Sequence, residues 1–192
     1  MAEKPFILLT TSRRPTKNMR SFCRDLSHTF PNTVRINRGK LSLERVAEKA
    51  LELDAEKVMI IERWKGGMGK IRFFGIGEKG LDNVPPLIHI SSVKLRRDSG
   101  ENEKKRKKMK SLAVASSLKA PLKVKRLENA LSKFFSIPIL LFNEVTKEKC
   151  DIAMQILTDQ SNKVIITFKF VPGFVEAGPQ IRVSRLVWKL IG

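Results

Sequence analysis

Phe6-Ile-Leu-Leu-Thr-Thr-Ser-Arg-Arg-Pro-Thr16 decides the reading of the chain, because a buried strand, a basic corner and a helix start follow one another in it. The run from Phe6 to Thr11 is apolar and of strand length, the pattern of a strand covered on both faces. Ser12-Arg13-Arg14-Pro15-Thr16 turns the chain, and Pro15 suits the first turn of a helix. Met19, Phe22, Cys23, Leu26 and Phe30 then recur at helical spacing with basic residues opposite, until Pro31 and Asn32 stop the helix. Thr33 to Asn37 reads as a short strand and Arg38-Gly39-Lys40 as a turn. Ser42 is placed to cap a second helix with the stripe Leu43, Val46, Ala47, Ala50 and Leu51. Lys57 to Trp64 is a third strand. Strand, helix, strand, helix, strand is the grammar of a layered α/β domain.

The pattern continues downstream. Lys65 to Lys70 is a glycine-rich connection to a strand at Ile71 to Ile76, which is a hairpin signal. Leu87 to Leu95 follows Pro85-Pro86 as a further strand. Residues 98–111 are polar and basic without apolar period, and read as a mobile loop or a solvated helix extension. A second structured part starts near Leu112. Leu127, Ala130, Leu131 and Phe134 mark a helix from about Lys123 to Phe135. Strands are expected at Ile137 to Phe142, Ile152 to Leu157, Lys163 to Val171 and Gln180 to Leu190. Val164, Ile166, Phe168 and Phe170 alternate as a half-buried strand should. There is no short tandem repeat.

Length and composition bound the function. The 192 residues include 38 Lys+Arg and 19 Asp+Glu, a net charge of +19, with 42% hydrophobic residues. A chain this apolar can bury a core, and no apolar run approaches the ~18 residues that cross a bilayer. The opening apolar run is short and leads into basic residues, so it reads as a strand rather than a signal peptide. Cys23 and Cys150 cannot build a multi-bridge framework, and a reducing cytoplasm is the expected compartment. Residues 94–126 hold 13 basic and 3 acidic side chains, the peak of the charge. Such a field attracts polyanions, with nucleic acid ahead of an anionic membrane surface.

Motifs for catalysis fail on inspection. Gly75-Ile76-Gly77-Glu78-Lys79-Gly80 matches a dinucleotide-binding pattern, but Leu81 to Pro86 cannot supply the long helix it needs, so it reads as a turn. Gly69-Lys70 ends like a phosphate loop, yet Ile71 stands where a Ser or Thr must hold magnesium. His28 and His89 lie far from each other and from cysteine, which leaves no zinc set. Asp54 with Glu56, and Glu101 with Glu103, fall at helix ends or in loops, poor places for paired acid–base work. No enzymatic constellation, metal site or cofactor is expected.

The basic residues read differently. Arg13, Arg14, Lys17 and Arg20 surround a helix start, where free N–H groups also favour phosphate. Arg38 and Lys40 occupy the matching connection before the second helix. Arg63, Lys65 and Lys70, with Arg72, flank the hairpin around Trp64, which is either a base-stacking platform or a packing residue. Arg96, Arg97 and the run Lys104, Lys105, Arg106, Lys107 and Lys108 complete the candidate RNA-binding set. Grouped at corners and loops, they suit phosphate contacts.

Phe6-Ile-Leu-Leu-Thr-Thr-Ser-Arg-Arg-Pro15, Phe30-Pro-Asn-Thr33 and Ile36-Asn-Arg-Gly39 resemble the opening of Brix-domain ribosome-biogenesis proteins. The Phe168-Lys-Phe170 strand followed by Glu176-Ala-Gly-Pro-Gln-Ile-Arg182 resembles that family's closing segment, although Val171-Pro-Gly-Phe174 departs from its usual aromatics and His. The chain looks like a compact, archaeal-type member similar to the small-subunit-processome branch. The resemblance implies a single domain over 1–192, with halves 1–97 and 112–192 related by a pseudo-twofold and a basic linker at 98–111. Each half would be similar to an anticodon-binding domain of class II aminoacyl-tRNA synthetases. It further implies a non-enzymatic factor that binds rRNA or pre-rRNA during folding, processing and subunit assembly. A ribosome-assembly protein held in the groove between halves is the alternative partner, with an RNA-modifying enzyme as a further reading.

Overall fold

The computed structural model describes residues 7–64, 67–99, 109–147 and 150–190. Its elements in chain order are β1 (Ile7–Thr11), α1 (Lys17–Thr29), β2 (Thr33–Arg35), α2 (Leu43–Glu52), β3 (Lys57–Trp64), β4 (Gly67–Gly77) and β5 (Gly80–Lys94). After a 3₁₀ turn at Arg96–Ser99 come β6 (Leu112–Ser116), α3 (Leu122–Phe135), β7 (Ile139–Leu141), α4 (Phe142–Val145), β8 (Ile152–Thr158), β9 (Val164–Phe170), β10 (Val175–Glu176) and β11 (Gln180–Val187). The strands form one mixed sheet in the order β2-β1-β3-β4-β5-β11-β9-β8-β6-β7, with β10 on β9. β1 lies parallel to β2 and β3, and β6 parallel to β7 and β8. The middle pairs are antiparallel, including β5 with β11.

Alternation along the strands sorts side chains onto two faces. Ile7 and Leu9 of β1, Met59 and Ile61 of β3, Val114 of β6 and Met154 of β8 join one continuous core with α1 and α3. Leu8, Val58 and Ile60 point the other way, onto Val46 and Ala50 of α2. Ala113, Ala115 and Ala153 meet Val145 of α4 in a separate cluster on that second face. Five phenylalanines tie the first core together. Phe30 stacks on Phe135 at 4.1 Å and meets Phe168 edge-on, while Phe73 packs on Phe134 and Phe135. Lys57 of β3 adds a polar tie, donating to the carbonyls of Phe134 (2.7 Å) and Lys133 (3.2 Å) at the end of α3.

Several expectations need correction. Thr16, not Pro15, opens α1: its hydroxyl accepts from the Met19 N–H at 3.2 Å, and Pro15 precedes the cap. Leu51 is 62% exposed and leaves the α2 stripe, whose buried residues are Val46, Ala47 and Ala50. β5 starts at Gly80 rather than Leu87, since a register shift lets the strand absorb two prolines that lack ladder donors. β2 ends at Arg35, where Arg35 and Asn37 bond through their side chains. Phe142 opens α4 instead of closing β7: the Glu144 carboxylate accepts from the Leu141 N–H and pulls the chain into a helical turn. β11 ends at Val187 rather than Leu190, where its pairing with β5 runs out.

Candidate nucleic-acid interface

Three parallel strands deliver their carboxyl ends to one place. β1 sits between β2 and β3, with its helix α1 on one face and α2 on the other. The helices that leave β1 and β2 therefore run over opposite faces, and a crevice opens beyond the strand ends, the usual location of ligands in such sheets. The chain enters it directly after Thr11, where the Ser12 N–H donates to the Ile61 carbonyl at 2.8 Å. Beside it the loop after β2 is pinned, with the Thr10 hydroxyl donating to the Ile36 carbonyl at 3.0 Å.

Two guanidinium groups converge there. Arg38 Nε donates to the Leu41 carbonyl at 2.7 Å, and Arg13 Nε reaches the same oxygen at 3.3 Å. The Leu41 N–H returns a bond to the Arg38 carbonyl at 3.0 Å, closing a turn in which Gly39 takes φ 52°, a value open to glycine. Arg38 is only 6% exposed, and burial followed by the Arg13 charge lowers its pKa, with Glu62 and Glu44 acting against that fall. Among the described residues neither arginine has a carboxylate within ion-pair distance. Glu62 is occupied elsewhere, by Lys70 at 3.1 Å and Arg72 at 3.4 Å. A buried guanidinium without a carboxylate retains its Nη edge for a ligand anion, and two adjacent ones form a fork that suits phosphate.

The other expected residues scatter around this centre. Arg14, Lys17 and Arg20 are exposed on the β1–α1 corner and Lys40 on the turn before α2. Arg63 is exposed near the end of β3, level with Arg13. Lys70 shares Glu62 with Arg72, so its charge is partly answered within the fold. Arg96 lies 5.5 Å over the Phe170 ring on the far side of the sheet's middle, and Arg97 sits 3.7 Å from Asp98. Lys65, Lys104, Lys105, Arg106, Lys107 and Lys108 lie outside the described residues, as does most of the 98–111 segment.

Sequence reading missed one basic element. Arg185 of β11 pairs in register with His89 of β5, which pairs with Lys70 of β4, so the three form a row across the sheet. Burial, then Lys70 and Arg185, lower the His89 pKa, and the row carries positive charge mainly from its ends. The signal existed only in three-dimensional register, since the three residues are far apart in sequence. Among the described residues no group of three His, Cys, Asp or Glu side chains could hold a metal ion, and no helix is long and apolar enough to cross a membrane. A cleft of about 620 Å³ does lie where the two parts of the chain meet, lined by Asn32, Ser136, Ile137 and Cys150 among others.

No family model matches the sequence. Curated archaeal proteins do, each bearing the name "Probable Brix domain-containing ribosomal biogenesis protein". That of Aeropyrum pernix is 36% identical over 91 residues, 47% of this chain and 50% of the relative. That of Thermococcus kodakarensis is 34% identical over 94 residues, 49% of this chain and 45% of the relative. The matches thus span about half the length of these relatives. The fold likeness reaches further. A crystal structure described as that of a "probable ribosomal biogenesis protein" from Aeropyrum pernix superposes with a TM-score of 0.73 at 26% identity, over 95% of this chain and 98% of that one. An archaeal Imp4-like protein superposes with a TM-score of 0.64 at 24% identity, over 95% and 99% of the two chains, a likeness of fold alone. The Brix-domain resemblance of the opening motifs is borne out.

Proposed function

We propose that this chain, a homologue of archaeal Brix domain-containing ribosomal biogenesis proteins, binds ribosomal RNA during subunit assembly through the crevice at the ends of β1, β2 and β3. The observation that carries this reading is Arg38, a guanidinium 6% exposed beside Arg13 and without a carboxylate partner among the described residues. Its position is fixed by the turn it closes, so a phosphate meets a preformed fork at low entropic cost. Arg14, Lys17, Lys40 and Arg63 extend the contact along the backbone, and the remaining positive charge raises the encounter rate. Such contacts hold a structured RNA by phosphate position and shape rather than by base edges. The function is chaperoning of pre-rRNA folding or processing in the cytoplasm, with no reaction assigned to the chain itself.

The strand order supports two related halves. β2-β1-β3-β4-β5 and β7-β6-β8-β9-β11 follow the same succession from opposite edges, consistent with a pseudo-twofold at the β5–β11 seam and with two anticodon-binding-like units.

The test compares wild type with Arg13→Ala and Arg38→Lys for binding to 16S rRNA fragments across a salt series. Arg38→Lys retains a cation and guards against a mere folding defect, which circular dichroism checks. The wild-type affinity is expected to fall steeply with salt, and each variant to bind about tenfold more weakly, the worth of one charge-assisted bond. Unchanged affinity and salt slope in both variants would overturn the reading.

A further inference from the structure

The start of α3 and the chain beyond β11 meet through two planar groups. The Arg126 guanidinium carbon lies 4.0 Å over the Trp188 ring. Val124 and Leu127 anchor this turn of α3 in the core, at 1% and 0% exposure, while Arg126 itself is exposed. Trp188 follows Val187, where the pairing of β11 with β5 ends, so no ladder dictates its place. One face of the guanidinium is therefore covered by an indole, and the other is open to solvent. Neither group uses its donors within the fold. Among the described residues no acceptor takes an N–H of Arg126 or the indole N–H of Trp188, and both remain reachable from solvent.

The setting is cationic. Residues 117–127 hold Lys119, Lys123, Lys125 and Arg126 and no acid, and residues 177–190 hold Arg182, Arg185 and Lys189 and no acid. Of these cations only Arg182 has a carboxylate partner among the described residues, Asp159 at 2.8 Å. Lys123 shares a helix face with Arg126 three residues on, and it bonds the neutral Asn162 through the carbonyl and, at 2.6 Å, the side chain. Glu128, the nearest acid along α3, is 3% exposed and accepts from the Ser116 hydroxyl.

A guanidinium plane with a free face and a free N–H edge suits a flat π system on the face and an anionic oxygen at the edge. A nucleotide carries both. A carboxylate answers the edge and leaves the face bare, and a base inside a duplex has its faces covered by its neighbours. The fit is therefore to an unpaired base with its own phosphate. We propose that the Arg126–Trp188 pair is a stacking site for an unpaired nucleobase of RNA, with Lys123 and the adjoining Lys189 answering the flanking phosphates. The inference rests on the reading of the chain as an RNA binder and adds base contact to it. The crevice beside β1 takes phosphate alone, whereas this second site takes single-stranded RNA.

The test measures fluorescein-labelled octaadenylate by anisotropy against an octamer of the same backbone with tetrahydrofuran in place of the bases. Wild type at physiological salt is expected to prefer octaadenylate by about tenfold, the worth of one stacked base. Arg126→Lys keeps the charge and removes the plane, so it should abolish that preference and leave affinity for the base-free octamer unchanged. Trp188→Phe should retain the preference and Trp188→Leu should lose it. Lysine suits a helix as well as arginine does, and a thermal melt checks the fold; Trp188→Leu is read instead if the melt of Arg126→Lys shifts. Equal wild-type affinity for the two octamers overturns the proposal, as does a preference that survives Arg126→Lys. Polyglutamate that displaces the labelled octaadenylate better than unlabelled octaadenylate assigns the pair to carboxylates and also overturns it. Arg13→Ala should keep the base preference. A loss of rRNA affinity in that variant, with no base preference in wild type, sinks this site and leaves the crevice standing.

Discussion

Glu128 is 3% exposed within α3, and the Ser116 hydroxyl donates to its Oε2 at 2.7 Å. Burial raises its carboxyl pKa above the ordinary value of 4.5, with the Ser116 bond and Lys125 acting in the opposite direction. A carboxyl whose folded pKa is raised binds its proton more tightly in the native state. Its ionisation therefore costs stability, starting near the unfolded pKa and reaching its full extent above the folded one. Glu128→Gln keeps an acceptor for Ser116 and removes the charge, so it should raise the melting temperature at pH 7 by a few degrees, about 2–4 °C per kcal/mol at this size. It should also flatten the decline in stability above pH ~4.5, and melts from pH 4 to 8 decide the point. Cys23, 1% exposed, shows the same physics in a thiol: burial pushes its pKa up to about 12, against the pull of Arg35. Iodoacetamide at pH 8 should leave it unmodified in the folded protein and label it readily in 6 M guanidinium chloride, as mass spectrometry will record.

At the scale of elements, the end of α3 depends on a residue from another strand. The Lys57 ammonium bonds the last carbonyls of the helix and the Ser136 hydroxyl at 3.2 Å, while Ser136 itself stands at φ 52°. A cation at a helix C-terminus answers both the free carbonyls and the dipole. Burial lowers the Lys57 pKa, so the tie operates against a desolvation cost. Lys57→Met keeps the apolar stem and should cost about 1–2 kcal/mol, seen as a lower urea midpoint at unchanged slope. Elements with a strong apolar period were readable in advance: α1 buries Met19, Phe22, Cys23 and Leu26 as its spacing requires, and Ser42 caps α2 through the Arg45 N–H. Short elements were not, because α4 and the true start of β5 depend on a local bond at Leu141 and on a register shift beside two prolines. The basic corners were legible as composition. That Arg13 and Arg38 meet on one carbonyl was not, since it requires the parallel pairing of β1 with β2.

Across the whole molecule, one core runs under both parts of the chain. Phe30 and Phe73 come from before residue 98, Phe134, Phe135 and Phe168 from after 111, and they share contacts in one cluster. Separating residues 1–97 from 112–192 would expose that cluster on both pieces. Each piece alone should therefore show no cooperative melt, whereas the intact chain should unfold in a single transition by both far-UV circular dichroism and tryptophan fluorescence. The antiparallel seam of β5 and β11 also fixes direction. Counting along the sheet, β1 and β6 run oppositely, so the carboxyl ends of β1 and β3 and those of β6 and β8 lie at opposite ends of the sheet and near opposite edges. Six strand spacings of ~4.8 Å set them about 30 Å apart across the sheet, and the length of the strands adds to that. A group bound at one end would thereby be indexed to one bound at the other. The separation is counted in strands, and inserting or deleting one antiparallel strand would change it by a set step and turn one end around.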